Sequence, residues 1–206
     1  MTGEQVRLLR QPQAAPTDAA VVARFLAQVQ RNAKVVALLE RLPQFALPQA
    51  ALVAGALFQT VWNVQSGKPA DASIKDYDVF YFDAVDLSAA AEASVDAKLN
   101  RECADLGVTI EACNQARVHL WYEGFFGHPY AALGSVDDGV ARFLVRCTCV
   151  GLQPHGGGLR LIAPFGLDDL LAGRLERNAP FAPHNLFERK VASYVARWPH
   201  LVALPG

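Results

Sequence analysis

The chain has 206 residues, 52% of them hydrophobic, with 19 lysines and arginines against 20 aspartates and glutamates, a formal net charge of -1. That composition excludes a disordered chain and supplies enough apolar material for one well-buried domain. The charge balance implies no obligatory nucleic-acid partner, because a polyanion would have to be held by a local patch.

Residues 1 to 16 (MTGEQVRLLRQPQAAP) have no apolar period and read as a flexible tail, leaving 17–206 as a single domain. The tail lacks the apolar core of a signal peptide, and nowhere is an apolar run long enough to span a bilayer. The expectation is a cytoplasmic protein with no membrane partner. The four cysteines, Cys103, Cys113, Cys147 and Cys149, form no C-x-x-C pair and are expected as free thiols, the last two on one strand face.

Thr17 is a candidate N-cap for a segment running to Leu42, where Val22, Phe25, Leu26 and Val29, then Val35, Val36, Leu38 and Leu39, recur at helical spacing. The pattern predicts two helices that break near Arg31 and Asn32 and stop before Pro43 and Pro48. Ala51 to Gly67 predicts a short buried strand, a turn at Gly55 and a helix. SIKDYDVFYFD, residues 73–83, predicts a strand by its alternation and its aromatic and β-branched content.

Ser88 opens a predicted helix to Asp105, closed by Gly107. VTIEACNQARVHLWY predicts two short strands meeting near Asn114 and Gln115, which would put Arg117, His119 and Trp121 on one face. Ser135 with Asp138 predicts a short capped helix. VRCTCVGLQPHGGGLRLIAP predicts a hairpin turning at Pro154 to Gly158, and Gly166 to Leu171 and Asn185 to Trp198 predict the last helices. The glycine run 156–158 joins two strands, so it predicts a hairpin turn in preference to a phosphate loop, and Asp168 and Asp169 suit the first turn of a helix. The histidines show no metal-ligand spacing.

Asp76 and Asp78 pose the functional question. Two residues apart on a strand, they share one face with Cα atoms roughly 6.6 Å apart at about 3.3 Å per residue, and they repel. One reading is an exposed edge strand whose acids face water. The other is a cation site, supported by the turn at Gly55 leading into a helix and by Glu111, a lone acid in a strand-like run. Three clustered carboxylates are the oxygen-donor set of hard divalent cations.

The order of glycine turn, helix, Asp-x-Asp strand and later acidic strand resembles the nucleotidyltransferase superfamily that includes DNA polymerase beta and the tRNA CCA-adding enzymes. More closely, VAGALFQTVWN, IKDYDVFYFD, NQARVHLWY and IAPFGLDDL resemble the signature blocks of a bacterial nucleotidyltransferase-like family, over roughly residues 35 to 202. The resemblance implies an α/β (α+β) nucleotidyltransferase fold, a mixed β-sheet flanked by helices. It also implies a nucleoside triphosphate donor, an acceptor hydroxyl of unknown identity on a small molecule, RNA or protein, and Mg²⁺ or Mn²⁺ held by Asp76, Asp78 and Glu111.

By the same resemblance Gly55 and Ala56 would border the triphosphate, although the superfamily turn usually carries Gly-Gly or Gly-Ser. Arg117 and His119 would contact phosphate or substrate; as residues alone they read equally as a hydrogen-bonded pair supporting the sheet. Lys190 would reach a phosphate or stand as a solvated helix lysine, whereas Lys75, on the other strand face, reads as structural. A non-catalytic nucleotide- or RNA-binding module that retained the fold is the alternative function, and a nucleotide hydrolase a third.

Overall fold

The computed structural model describes residues 18–127 and 129–205, so the predicted tail and Thr17 lie outside the described residues. Helix α1 (Ala19–Val29) starts at Asp18, whose carboxylate accepts from the Ala20 N–H, and it buries Val22, Phe25, Leu26 and Val29. The predicted break falls at Asn32. Its side chain accepts from the Lys34 and Val35 N–H groups to cap α2 (Ala33–Arg41), and its amide donates to Thr60 Oγ1 at 2.9 Å, tying the break to the core.

A five-stranded sheet forms the centre, ordered β3 (Ile110–Asn114), β2 (Tyr77–Tyr81), β1 (Ala51–Val53), β4 (Gly151–His155), β5 (Gly158–Ile162). Only the β2 and β3 pair is parallel; β1 pairs antiparallel with β2 and with β4, and β4 with β5. Helix α3 (Gly55–Gln65) leaves β1 directly, and α4 (Ala89–Glu102) is the crossover from β2 to β3. Beyond β3 come α5 (Val118–Phe126), α6 (Val136–Val140), α7 (Asp168–Ala172), β6 (Arg174–Leu175), α8 (His184–Arg197) and β7 (Val202–Ala203), with β6 and β7 paired in parallel. The sheet is mixed and flanked by helices, as expected.

Alternation divides the sheet into two faces. Leu52, Tyr77, Val79, Ile110 and Leu152 join the main core with α1, α2, α3, α7 and α8. Trp62 sits at its centre, fully buried, ringed by Phe58, Tyr194 and Trp198, its indole N–H donating to the Leu170 carbonyl. Truncating such a side chain costs about 3–5 kcal/mol, so the α3 to α8 contact is a strong one. The opposite face carries a smaller cluster, Ala51, Val53, Val136, Val140, Cys149 and Ile162, with Phe80, Phe82 and Phe143 packed on it. Asp78 and Phe80 lie on this second side.

The acidic side of α4 has a definite task. Glu92, Asp96 and Asn100, one turn apart, accept from the Asn114, Ala112 and Ile110 N–H groups, and Asn100 also donates to the Ile110 carbonyl. These bonds occupy the free edge of β3, which would otherwise be a template for another strand.

Several expectations are corrected. The strand at 73–83 is shorter, so Asp76 precedes β2 and only Asp78 lies within it. The helix from Ser88 ends at Glu102 and passes through a 3-10 turn before Gly107. The second strand of VTIEACNQARVHLWY is absent: Asn114 accepts from the Ala116 N–H, turning the chain through a 3-10 turn at Gln115–Arg117 into α5, which ends at Gly127 with φ +73°. Cys147 and Cys149 share no strand; they lie in and just after a 3-10 turn as buried free thiols, and burial pushes Cys149 up to about 12. The hairpin turns at Gly156 and Gly157, both at positive φ, and Asp168 and Asp169 occupy the first turn of α7, as expected. Among the described residues no helix is long and apolar enough to cross a membrane.

Candidate active site

The site is assembled where β1 ends. Val53 pairs with Asp78 across the antiparallel β1 and β2 register, and two residues later Gly55 begins α3, so the Gly55 N–H reaches the Asp78 carboxylate. Between them Ala54 holds φ +53° and ψ -120°, a conformation costly for a residue with a Cβ, of order 1–3 kcal/mol. Its carbonyl accepts from the Leu57 and Phe58 N–H groups, which fixes the start of the helix.

On the other side of β2, Glu111 is the register partner of Asp78 in the parallel pair, so both carboxylates project from the same face. Burial pushes the Asp78 carboxyl up to about 7, reinforced by Asp76 and then Glu111, while Lys190 and the Gly55 N–H pull the other way. Glu111 lies in an exposed position yet is also raised, first by loss of surrounding water, then by Asp76 and Asp96. Three mutually repelling carboxylates therefore meet at the ends of β1 and β2. As the side chains stand, no group of three His, Cys, Asp or Glu is arranged to hold a metal ion among the described residues.

Asp76 and Asp78 open onto a cleft of about 400 Å³, a size typical of small-molecule sites. One wall is α8, whose Leu186, Lys190, Tyr194 and Arg197 line the cleft at intervals of one turn. The Arg197 guanidinium lies 4.3 Å from the Trp198 ring centroid and donates to Gln59 Oε1 at 2.9 Å, while burial lowers its pKa. The opposite wall is α5, through Val118, Trp121, Tyr122 and Phe126, with Tyr130 and Arg142 beside it. Lys190, Arg142 and Arg197 pair with no carboxylate among the described residues.

The predicted residues divide. Asp76, Asp78, Gly55 and Lys190 line the cleft, and Glu111 adjoins Asp78. Ala56 is fully buried in the main core and does not line the cleft; the pair that does is Ala54 and Gly55. A side chain at position 56 therefore points away from any ligand. Arg117 is not free for substrate: it forms a buried ion pair with Glu92 and its Nε donates to the Leu87 carbonyl. His119 does not line the cleft, because on the helix it falls between Val118 and Trp121, off the face they define. Lys75 is exposed outside the cleft.

Sequence reasoning missed Gln59, Arg142, Tyr194 and Arg197. The spacing of Leu186, Lys190, Tyr194 and Arg197 is a helical stripe that was available; nothing local marks Arg142.

The fold is similar to that of a solution structure described as revealing a CCA-adding enzyme head domain, with 22% sequence identity and a TM-score of 0.70 over 89% of this chain and 95% of that one. No curated protein matches the chain. The profile of the nucleotidyltransferase family matches residues 40–203, a span that takes in Gly55, both aspartates, Glu111 and Lys190, and the chain thus belongs to the nucleotidyltransferase family.

Proposed function

We propose that the protein is a divalent-cation-dependent nucleotidyltransferase that moves a nucleotidyl group from a nucleoside triphosphate to an acceptor hydroxyl. The observation that carries this reading is the division of charge in one cleft: Asp76 and Asp78 line it with Gly55 at the start of α3, and α8 contributes Lys190, which acts on Asp78, and Arg197 to the same lining. A triphosphate with its counter-ion matches both halves. A cytoplasmic location is part of the same proposal and is in keeping with the four free cysteines.

Asp76, Asp78 and Glu111 suit Mg²⁺ or Mn²⁺, because all three offer hard carboxylate oxygens, and the upward shift of Asp78, due first to burial, is increased by the like charges of Asp76 and Glu111, which a cation would offset. A bound cation would neutralise phosphate charge and ease loss of the acceptor's proton. The chain's own residues do the rest. Gly55, whose N–H holds the Asp78 carboxylate, puts no side chain at the start of α3 and so lets a phosphate approach the backbone there, and Lys190 and Arg197 orient the phosphates. The acceptor oxygen bonds to the α-phosphorus as the α–β anhydride bond breaks; pyrophosphate leaves with the bonding electrons, and the hydroxyl proton passes to a carboxylate of the cluster.

One observation favours the second reading, a non-catalytic nucleotide- or RNA-binding module: the three carboxylates do not stand in a metal-holding arrangement. Incubation with α-labelled nucleoside triphosphates, Mg²⁺ or Mn²⁺ and cell extract separates the readings. Label covalently joined to an acceptor, with pyrophosphate released and the reaction lost in Asp76→Asn, supports transfer. Labelled nucleoside monophosphate alone indicates a hydrolase, and bound but unaltered nucleotide indicates a binding module.

A further inference from the structure

The wall of the cleft facing α8 is built differently from the phosphate side. Tyr122 and Phe126 stand one turn apart on α5 with Trp121 next to Tyr122, and Tyr130 closes against them: the Tyr122 ring centroid is 4.6 Å from that of Phe126 and 4.2 Å from that of Tyr130. The Arg142 guanidinium carbon lies 4.7 Å from the Tyr130 centroid and 5.4 Å from that of Phe181, and its Nη1 is anchored on the Ala131 carbonyl at 2.8 Å. Arg142 is thus held in place without a carboxylate to neutralise it.

This cluster is not a finished core. Phe126 remains 45% exposed and Phe181 40%. Single exposed hydrophobic residues need no explanation, but contiguous aromatic area at the mouth of a cleft marks a binding surface. Flat rings with a fixed guanidinium beside them are complementary to a second flat ring that carries a negative charge: the ring stacks and the anion meets Arg142.

The position of this wall assigns its role. It follows β3, the strand that carries Glu111, whereas Gly55 belongs to α3 and Lys190 and Arg197 to α8. If the triphosphate takes the α3 and α8 side, the aromatic wall is left for the molecule that receives the nucleotidyl group. Resting on the transfer reading above, we infer that the α5 wall is the acceptor subsite, and that the acceptor presents a nucleobase-like ring next to a phosphate, as in a nucleotide. The same chemistry is offered by a free nucleotide and by the end of a single strand.

The protein carries its own reporter. Trp62 and Trp198 are fully buried, whereas Trp121 is partly exposed and lines the cleft, so quenching of tryptophan emission by a small ligand reports this wall. The probes are AMP, a ribo-trinucleotide and ribose 5-phosphate, each without divalent cation. Saturable quenching by AMP or the trinucleotide but not by ribose 5-phosphate is expected. It should weaken about tenfold or more in Phe126→Ala and in Arg142→Gln, and stay within about twofold in Lys190→Ala. Phe126 is exposed enough that its truncation leaves the fold intact, which circular dichroism checks. Tighter binding of the trinucleotide assigns a strand end; equal binding assigns a free nucleotide.

Quenching that is absent, equal with ribose 5-phosphate, or lost in Lys190→Ala while retained in Arg142→Gln overturns the inference. Cation-dependent binding of nucleoside triphosphate, measured in parallel, separates its failure from that of the transfer reading. If triphosphate binds through Asp76 and no probe touches the aromatic wall, only the acceptor subsite falls. If the probes bind there but triphosphate never binds with cation, the transfer reading falls, and the acceptor role with it.

Discussion

Asp78 of β2 stands in direct register with Glu111 of β3, in the only parallel pair of the five-stranded sheet. Parallel register sends both carboxylates to one face, and Asp76 adds a third charge within Coulombic reach of each. The sheet geometry therefore concentrates negative charge at one point and leaves Lys190 as the nearest offset.

That arrangement makes stability depend on pH in an unusual direction. The unfolded chain releases the Asp78 proton near pH 4, whereas the folded protein retains it up to about 7. Between these values the native state binds more protons, so the contribution of Asp78 to stability falls as pH rises across the window. In chelator at pH 8, Asp78→Asn should be more stable than wild type by ~1–2 kcal/mol, after solvent screening of charges at this separation. The advantage should fade towards pH 4. Chemical denaturation at both pH values checks it; a mutant less stable at pH 8 would show that the carboxylate serves the fold.

Addition of Mg²⁺ or Mn²⁺ should reverse the order. A cation that binds only the native state stabilises it by about 2.7 kcal/mol at 100 times its dissociation constant, so wild type should gain in melting temperature while Asp76→Asn gains nothing. Equal shifts in the two proteins, read by differential scanning fluorimetry, would remove Asp76 from the site.

Glu111 should separate binding from chemistry. It adjoins Asp78 but does not line the cleft with Lys190 and Arg197, so Glu111→Gln should leave triphosphate affinity within several-fold and lower turnover by about 10²-fold, roughly 2.7 kcal/mol of barrier. Unchanged turnover would exclude a catalytic part for this carboxylate.

The strained residue at the head of α3 offers a test of the backbone. Ala54 at φ +53° occupies a region that glycine enters freely. Ala54→Gly should raise stability by ~1 kcal/mol, about 2–4 °C in melting temperature for a chain of this size. Gly55→Ala should do the opposite: its Cβ would lie 2.8 Å from the Gln59 amide nitrogen, displacing the side chain that holds Arg197. Weaker triphosphate binding in Gly55→Ala, with Ala54→Gly unaffected, is the expected pair of results from calorimetry.

What was legible in the sequence was mainly what local chemistry decides. The break at Asn32, the starts at Ser88 and Ser135 and the stop at Gly107 all follow from capping groups that act within a few residues. Alternation accounts for Asp78 and Glu111 sharing a face, whereas Asp76 precedes β2 and its place beside them does not follow from strand alternation. Helix α5 was not: Val118, Trp121 and Tyr122 are strand-prone by type, and the Asn114 cap together with the apolar face at Val118, Trp121, Tyr122 and Phe126 overrode that preference. Arg142 reaches the cleft only through tertiary placement, and no local spacing reveals which arginines a fold will leave unpaired.

Arg117 shows the same limit and yields the last prediction. Its sequence neighbours resemble a family block and make it a candidate for substrate, but its partner, Glu92, lies 25 residues earlier and is brought to it by the packing of α4 on β3. Glu92 also accepts from the Asn114 N–H, so one carboxylate binds the arginine and seals the sheet edge. With side chains only 10% and 19% exposed, removing one partner leaves the other charge buried and unpaired, which costs about 3–5 kcal/mol. Arg117→Met, close in volume and uncharged, should destabilise the protein by roughly that amount. Adding Glu92→Gln should recover part of the loss, since the stranded charge is gone and the amide oxygen still accepts from Asn114. Triphosphate affinity of the folded fraction should not change in either protein. A lowered affinity in Arg117→Met at full stability would return this arginine to the substrate site; the double mutant's partial recovery, measured by urea denaturation, would keep it in the scaffold.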